Sequence, residues 1–306
     1  MKPAKLNAVT GAFGYTGRYI ARKLLTLGEP VFTLTSNPHR EDPFTGQVRV
    51  FPYNFDDPDA LSASLAGVNT LYNTYWVRFN YRGVTFEQAV ENSRTLINAA
   101  AQAGVKRFVH ISVSNPGPDL DLPYFRGKWL VEQAVIESGI SFGIIRPTLI
   151  FGLEDILLNN IAYLLRRSPI FPIPGAGVYQ IQPIYAQDLA EIAVQAGGST
   201  ENLVLDAAGP EILSYKEMIK LIAEKIDSHS RLIHMSPNLA LILVKLLNIA
   251  LQDVLLTRDE LQGLMADLLV TSSPPLATTS FSSWLDQNSH LLGKKYTSEL
   301  NRHFRT

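Results

Sequence analysis

Short apolar runs alternate with longer segments of helical periodicity along the first two thirds of the chain. Mostly apolar runs predict β-strands at 6–10, 31–36, 48–52, 70–75, 107–113 and 141–147. Apolar residues at every third or fourth position predict helices at 14–27, 84–103 and 124–138. Because near-continuously apolar strands alternate with helices, the pattern predicts an α/β fold with βαβ units and a parallel sheet.

The rhythm changes after Gly152. The proline-rich segment 169–177 predicts a loop. Further helices are expected at 186–196 and at 214–227, and the last ~25 residues resemble one amphipathic terminal helix. Two helix starts have the Ser/Thr-x-x-Glu pattern in which side chains cap the first turn, and a third has proline after serine. These three starts are Ser214 with Glu217, Thr257 with Glu260, and Ser236 with Pro237.

The longest apolar stretch runs over 239–256. It contains Lys245 and Asp253, so we do not expect a membrane-spanning helix. Such a helix is apolar almost all round and has to be covered. Burial within the domain is one interpretation; a hydrophobic substrate cleft, a subunit interface or contact with a membrane surface are the others.

Composition excludes several classes of protein. Hydrophobic residues make up 46% and charged residues 18% of the 306 residues, which excludes wholesale disorder. The net charge of −1 leaves no basic surplus for a dedicated nucleic-acid binder. Without cysteine there is no disulfide framework or thiolate site, and the six histidines show no metal-ligand spacing, so no metal is expected. The first residues lack the apolar core of a signal peptide, and we expect a cytoplasmic protein.

The strongest chemical signal is a glycine-rich turn between the first strand and the first helix. It reads Thr10-Gly11-Ala12-Phe13-Gly14-Tyr15-Thr16-Gly17-Arg18. Glycines permit a tight turn and let backbone N–H groups approach a pyrophosphate at the positive end of the helix. The turn therefore indicates a dinucleotide site, with a structural strand–helix turn as the alternative.

This turn resembles the cofactor loop of the extended and atypical short-chain dehydrogenases/reductases, an NAD(P)-binding family that includes epimerase/dehydratase-like members. The resemblance covers roughly residues 5–195. Asn92 matches the family's helix asparagine, 146–152 its sixth-strand motif, and Asp188 the acid at a helix start. It implies a Rossmann-type, doubly wound parallel sheet over 1–152 and 178–210. It also implies a smaller, apolar, mostly helical substrate-binding portion over 153–177 and 211–306.

Tyr124 and Lys128 match the Tyr-x-x-x-Lys pair of the family and lie between the fifth and sixth predicted strands. Residues four apart share a helix face. A phenol with a pKa near ~10 is a poor base, and a neighbouring ammonium favours the phenolate. Tyr124 then exchanges a proton with a carbonyl or hydroxyl while hydride moves. The resemblance implies that Lys128 also holds the nicotinamide ribose; an aromatic helix start with a solvated lysine is the alternative.

The family's third catalytic group is a Ser or Thr just beyond the fifth strand. The best register places Val113 there, with Ser112 before it and Ser114 after it. Either serine substitutes if the strand end shifts, whereas Ser112 also suits a structural role. This departure puts catalysis in question and leaves cofactor binding intact.

The end of the second predicted strand favours NADP over NAD. An NAD site calls for a carboxylate on the ribose, but no acid follows this strand until Glu41. Ser36, Asn37, Arg40 and Arg18 are instead suited to a 2′-phosphate. The further cofactor contacts that we expect are Thr10, Gly11, Phe13, Gly14, Tyr15, Thr16, Gly17, Asn54, Phe55, Asn73, Thr74, Tyr75, Asn92, Ile111, Lys128, Pro147 and Thr148.

These features favour an NADP-dependent oxidoreductase whose small-molecule substrate has an apolar part. A sugar-nucleotide epimerase or dehydratase and a non-catalytic NAD(P)-binding scaffold or sensor are the alternatives. The apolar C-terminal portion is similar to respiratory-chain relatives that bind NADPH without known turnover. The aromatic and basic segment 77–82 forms a substrate wall or a solvated loop, and Arg166 with Arg167 binds an anion or ends a helix. A homodimer is compatible with the family resemblance.

Overall fold

The computed structural model describes residues 5–38 and 40–303. The strands in this part of the chain are β1 (Asn7–Thr10), β2 (Val31–Thr35), β3 (Arg49–Pro52), β4 (Thr70–Asn73), β5 (Arg107–Ile111), β6 (Ser141–Pro147), β7 (Ile150–Phe151), β8 (Ile170–Pro174), β9 (Gln180–Ile181), β10 (Ile184–Tyr185), β11 (Leu203–Ala207), β12 (Leu213–Ser214) and β13 (Arg231–Met235). The helices are α1 (Tyr15–Thr26), α2 (Pro58–Ser64), α3 (Phe86–Gln102), α4 (Pro123–Glu137), α5 (Ile156–Arg167), α6 (Ala186–Gly198), α7 (Tyr215–Lys225), α8 (Pro237–Leu251), α9 (Arg258–Met265), α10 (Phe281–Asn288) and α11 (Glu299–His303), with a 3-10 turn at Ser289–Leu291.

Seven parallel strands form the main sheet, in the order β11-β6-β5-β4-β1-β2-β3. The order reverses between β1 and β4, so the crossovers leave a crevice beyond the carboxyl ends of these two strands. In doubly wound folds, ligands bind at this switch point. The predicted Rossmann-type α/β fold is therefore confirmed.

Helices cover both faces of this sheet. Apolar side chains of α2, α3 and α4 pack on one face around the buried residues Leu71 and Phe108. On the other face, α1 packs against α6, and Tyr72 lies against Gly197 of α6. With both faces covered, each of the central strands β1, β4 and β5 is buried throughout.

The described residues divide into two units. One unit contains the chain up to Pro147 together with Ala186–Ala207, and the other contains Thr148–Tyr185 and the chain from Ala208 onward. The strand β11 completes the sheet of the first unit. The sequence pattern did not predict this strand, because its apolar run is short and ends at Asp206. As an edge strand it leaves Val204 45% exposed.

Two expectations for the second unit are wrong. The segment 169–177 is not a simple loop, because β8 pairs in parallel with β13. Proline is tolerated there because the sheet has two strands and both are edges. The C-terminal part is not one helix: the irregular segment 292–298 separates α10 and the adjoining 3-10 turn from α11. Thr297 of that segment exchanges two hydrogen bonds with the Asn160 side chain, of 2.9 and 3.0 Å.

The predicted helix starts are confirmed. Ser214 with Glu217 and Thr257 with Glu260 form reciprocal capping boxes, and Ser236 caps α8 with proline at the first helical position. Each cap satisfies backbone N–H groups that the first turn of a helix leaves unbonded.

The apolar stretch over 239–256 is not buried as one of our interpretations expected. Within α8, Ala240 is the buried residue. Leu239, Ile242, Leu246 and Ile249 are 52 to 75% exposed and, by their spacing, form one stripe. Within the described residues, no helix has both the length and the apolar character needed to cross a bilayer.

Arg166 and Arg167 bind main-chain carbonyl groups of the second unit. Arg166 donates to Leu292, Ile226 and Ser289, at 3.1 to 3.3 Å. Arg167 donates to Gly293 and Lys294, at 3.1 Å. The pair therefore fixes chain segments at the end of α5, which agrees with the helix-end interpretation.

Candidate active site

The glycine turn joins β1 to α1. Gly11 has a φ of +63° and donates its N–H to the Leu34 carbonyl at 2.8 Å. At Gly17 a Cβ atom would lie 2.4 Å from the Gly11 carbonyl oxygen, so only glycine lets α1 approach the turn this closely. The sequence pattern is thus explained by one left-handed backbone position and one close approach.

The N-terminus of α1 has no side-chain cap. Gly14 is the cap residue, and no acidic residue lies in the first turn, which contains Tyr15 and Thr16. An uncapped helix N-terminus presents N–H groups and a partial positive charge to an anion. The turn therefore fits a pyrophosphate group.

The region after β2 carries basic and hydroxyl groups. Ser36 is exposed, and Arg40 is half-buried. Arg18 donates to the Phe13 carbonyl at 3.3 Å. The nearby acid Asp42 accepts backbone N–H groups of its own turn, at 2.8 and 2.6 Å. This carboxylate is therefore engaged in a local turn.

Three aromatic rings pack together after β3 and β4. Tyr53 stacks on Phe55 at 4.8 Å, and both rings contact Tyr75, at 5.1 and 5.0 Å. Asn92 on α3 donates to the Tyr75 hydroxyl at 2.8 Å. Asn54, between the first two aromatics, has a φ of +49°. The structure thus brings the predicted residues Phe55, Tyr75 and Asn92 together, and adds Tyr53.

A buried polar row crosses the carboxyl ends of β1, β4 and β5. Thr10 Oγ1 accepts from the backbone N–H groups of Thr74 at 2.6 Å and Tyr75 at 3.0 Å, and donates to Asn73 Oδ1 at 3.2 Å. Asn73 Nδ2 lies 3.2 Å from His110 Nδ1. This row fixes the strand ends beneath the crevice.

The row also determines the tautomer of His110. Asn73 Oδ1 accepts from the Tyr75 N–H at 3.0 Å, so the amide nitrogen of Asn73 faces His110 and donates to it. We infer a neutral ring with its proton on Nε2. Burial, and then the charge of Lys128, lower the pKa of His110 well below its usual value.

Lys128 is a buried residue of α4. Its side chain is nearly fully buried and donates to the Ile111 carbonyl at 2.8 Å. The ammonium lies 4.7 Å from the centre of the Trp76 ring. Burial lowers the pKa of Lys128 to about 7, against a smaller opposing effect of Glu132. The fold therefore makes this amine lose its proton more readily than an exposed lysine does.

The Trp76 indole connects the two members of the predicted pair. It meets the Tyr124 ring edge-on at 6.0 Å, with an interplanar angle of 87°. The indole presses against Gly127, where a Cβ atom would lie 2.8 Å from it. Glycine at this position therefore makes room for the ring between Tyr124 and Lys128.

The residues after β5 differ in their hydrogen bonds. Ser112 is buried, and its hydroxyl has no hydrogen-bond partner among the described residues. The Ser114 backbone donates to the Pro147 carbonyl at 2.8 Å, and Val113 is buried. Because buried hydroxyls normally have partners, Ser112 is the better-placed candidate for a substrate oxygen.

One predicted contact lies in the other unit. Thr148 is buried there and donates to the Gln182 carbonyl. The basic segment after β4 forms a tight turn in which Tyr81 and Val84 exchange backbone hydrogen bonds of 2.9 and 3.0 Å. Arg82 at the turn is exposed and lies 5.4 Å from the Tyr81 ring centre.

Two contacts could not be found from the sequence. Tyr53 directly precedes the predicted cofactor contacts Asn54 and Phe55, and nothing in its spacing distinguishes it from other strand-end aromatics. The Trp76–Gly127 contact joins a loop to a helix about 50 residues later. A glycine inside a predicted helix indicates a close approach, but it does not identify the partner.

A family model of NmrA-like proteins matches residues 3–240, which is more than half of the chain. The chain belongs to the NmrA-like family. The resemblance to extended and atypical short-chain dehydrogenases/reductases is confirmed at the level of family and fold.

Two curated proteins are similar to this NmrA-like chain over most of its length. It is 26% identical over 234 residues to subunit 9 of the mitochondrial NADH dehydrogenase (ubiquinone) 1 alpha subcomplex of Arabidopsis thaliana, covering 73% of this chain and 58% of the relative. The match thus spans less than two thirds of that subunit. An NAD(P)H azoreductase of Xenophilus azovorans is 29% identical over 215 residues, covering 69% of this chain and 70% of the relative.

A solved structure shares the fold of this NmrA-like chain. It is an NADPH-dependent quinone oxidoreductase of Escherichia coli complexed with NADPH, with a TM-score of 0.73 and 22% identity. The alignment covers 92% of this chain and 99% of that one. At this identity the likeness establishes the common fold.

Proposed function

We propose that this NmrA-like chain is an NADP-dependent oxidoreductase in which Tyr124 donates or accepts the proton while hydride is transferred. The observation that carries the proposal is the convergence of the glycine turn with Tyr124 and Lys128 beyond the carboxyl ends of neighbouring parallel strands. This is the edge of the sheet where doubly wound folds bind dinucleotides.

The residues present fit a phosphorylated dinucleotide. The uncapped α1 N-terminus suits the pyrophosphate. Arg18, Arg40 and Ser36 suit a 2′-phosphate, since Asp42 is engaged in its own turn and no carboxylate lies on β2. The bound cofactor supplies the hydride at the nicotinamide ring. The azoreductase and quinone oxidoreductase relatives, which use nicotinamide cofactors by name, support this assignment.

Side chains of the protein itself would exchange the proton with the substrate oxygen. Tyr124 is half-buried, and its ring meets Trp76 and Phe86 edge-on, so part of this side chain stays accessible to a substrate. Lys128 follows Tyr124 by one helical turn on the same face of α4, and the positive charge of its protonated form favours the phenolate of Tyr124. We assign the third role to the Ser112 hydroxyl, which is buried and has no hydrogen-bond partner among the described residues; a shift of the strand end would bring it to the same substrate oxygen.

The test is NADPH consumption with a panel of quinones, azo compounds and other apolar carbonyl acceptors. We expect turnover with at least one acceptor, and a Tyr124→Phe variant that binds NADPH and turns over far more slowly. Equal turnover in the variant would remove Tyr124 from the mechanism. Absence of turnover on the whole panel, with NADPH bound, would favour the second candidate.

The second candidate is a cofactor-binding scaffold without catalysis. It is favoured by Val113 at the expected position of the catalytic Ser or Thr and by the exposed apolar stripe on α8. A relative that is a subunit of a respiratory complex by name is consistent with it. This candidate predicts stabilisation by the cofactor with no turnover.

A further inference from the structure

A buried ion pair lies one helical turn beyond Lys128. Glu132 on α4 is fully buried, and both of its carboxylate oxygens accept from Arg146 on β6. The two hydrogen bonds measure 3.0 Å from Nε and 2.6 Å from Nη2. The bond is therefore bidentate, the strongest arrangement that these two groups form.

Helix geometry aligns this pair with the candidate catalytic residues. Tyr124, Lys128 and Glu132 are four residues apart in succession, so they lie along one face of α4. Lys128 and Glu132 are both buried on that face, where charges interact more strongly than in water. A change in the charge of Glu132 therefore changes the pKa of the Lys128 amine.

The other groups around Lys128 come from two places in the chain. His110 and the Ile111 carbonyl lie on β5, and the Trp76 ring follows β4. The lowered pKa of His110 keeps its ring neutral, so it adds no second positive charge beside the ammonium. Glu132 is thus the source of negative charge that raises the pKa of Lys128 against the effect of burial.

We propose that Glu132 and Arg146 are positioning residues that set the charge of the Lys128 amine and, through it, the pH at which the catalytic pair works. Arg146 is the second half of the device, because its guanidinium holds both carboxylate oxygens of Glu132 and opposes their negative charge. The Asp206 carboxylate of β11 also acts on this guanidinium. The effect on turnover rests on the proposed function, whereas the effect on the amine does not.

The direction of each change follows from the sign of the charge removed. Glu132→Gln removes the negative charge and keeps the shape, so the Lys128 pKa should fall from about 7 by about one unit or more. Arg146→Met removes the positive charge and exposes Lys128 to the full field of Glu132. The pKa should then rise by a similar amount, and the Glu132→Gln/Arg146→Met double variant should cancel much of each shift.

The experiment is a pH titration of the whole protein labelled with ¹³C at lysine Cε, followed by NMR. Lys128→Arg assigns the signal. Glu137→Gln removes an exposed carboxylate from the same helix and serves as the control, with no expected shift of the Lys128 signal. Should Arg146→Met fail to fold, the Glu132→Gln titration carries the test alone.

The outcomes separate the two claims. A downward shift in Glu132→Gln, with the pH profile of turnover moving in parallel, supports both the positioning role and the proposed function. A downward shift in a protein without turnover supports the role and contradicts the function. A Lys128 titration in Glu132→Gln that stays within about 0.3 units of the unmodified protein, or moves upward, overturns the role.

Discussion

The Lys128 ammonium lies 4.7 Å from the centre of the Trp76 ring, while the same ring meets Tyr124 edge-on. Attraction between a cation and the ring face offsets part of the cost of burying the ammonium. The contact orients both members of the candidate catalytic pair from one side. It depends on Gly127, whose missing side chain leaves the space that the indole occupies.

Gly127→Ala is therefore expected to displace Trp76. A Cβ atom 2.8 Å from the indole forces the ring to move, at a cost of about 1–3 kcal/mol in unfolding free energy, and turnover should fall with it. Chemical denaturation measures the first effect. Gly198→Ala is the matched control because a Cβ atom there meets no neighbour within 4 Å. Equal unfolding free energies for the two variants would show that Trp76 accommodates the added methyl group without cost, which would contradict the prediction.

Tyr124→Phe removes the hydroxyl and keeps the ring contacts. If Tyr124 transfers the proton, kcat should fall by about 10²–10⁴-fold, while the Kd for NADPH changes little. Stopped-flow turnover and calorimetric titration measure the two quantities. Tyr163→Phe, in the other unit, should behave like the unmodified protein. A large loss of NADPH affinity in Tyr124→Phe would indicate a binding role instead.

Burial of Lys128 makes stability depend on pH. Its pKa falls from about 10.5 in the unfolded chain to about 7 in the folded protein. Between these values the unfolded state binds the extra proton, so the unfolding free energy rises with pH, by at most roughly 1.4 kcal/mol per unit. Lys128→Met should lose this slope over pH 7 to 10. Urea denaturation at a series of pH values gives the slopes, and parallel curves for the two proteins would contradict the burial cost.

Ser112→Ala tests the assignment of the third group. The buried hydroxyl has no partner among the described residues, so its loss removes a desolvation cost and the unfolding free energy should stay the same or rise. If Ser112 binds the substrate oxygen, kcat/KM should fall by about tenfold or more. Ser114→Ala provides the comparison. A larger catalytic loss in Ser114→Ala would transfer the role to that residue.

The sequence predicted the sheet because near-continuous apolar strands and capped helices are local signals. The order of glycines in the first turn also has a local cause, namely the left-handed φ at Gly11 and the close approach at Gly17. The strand β8 was missed because its prolines are typical of loops, and its pairing with β13 is a contact across about 60 residues. Long-range pairing of this kind leaves no trace in a local pattern.

The candidate site was predictable in its residue types and not in its charges. Tyr124 and Lys128 follow from helix spacing, but the lowered pKa of Lys128 depends on burial that the spacing does not reveal. The same holds for Glu132, which is an ordinary helix residue in sequence and a fully buried partner of Arg146 in the fold. Exposure of α8 likewise follows from tertiary packing.

Titration of the protein with NADPH, NADP, NADH and NAD tests the central claim most directly. Arg18→Ala and Arg40→Ala should be included, since a charge-assisted hydrogen bond to a phosphate contributes about 1.5–3 kcal/mol. The account predicts tighter binding of the phosphorylated cofactors, and a loss of about tenfold or more in each variant for NADPH with little change for NADH. Equal affinity for NADPH and NADH would contradict the NADP assignment, and no binding of any of the four by cofactor-free protein would contradict the site itself.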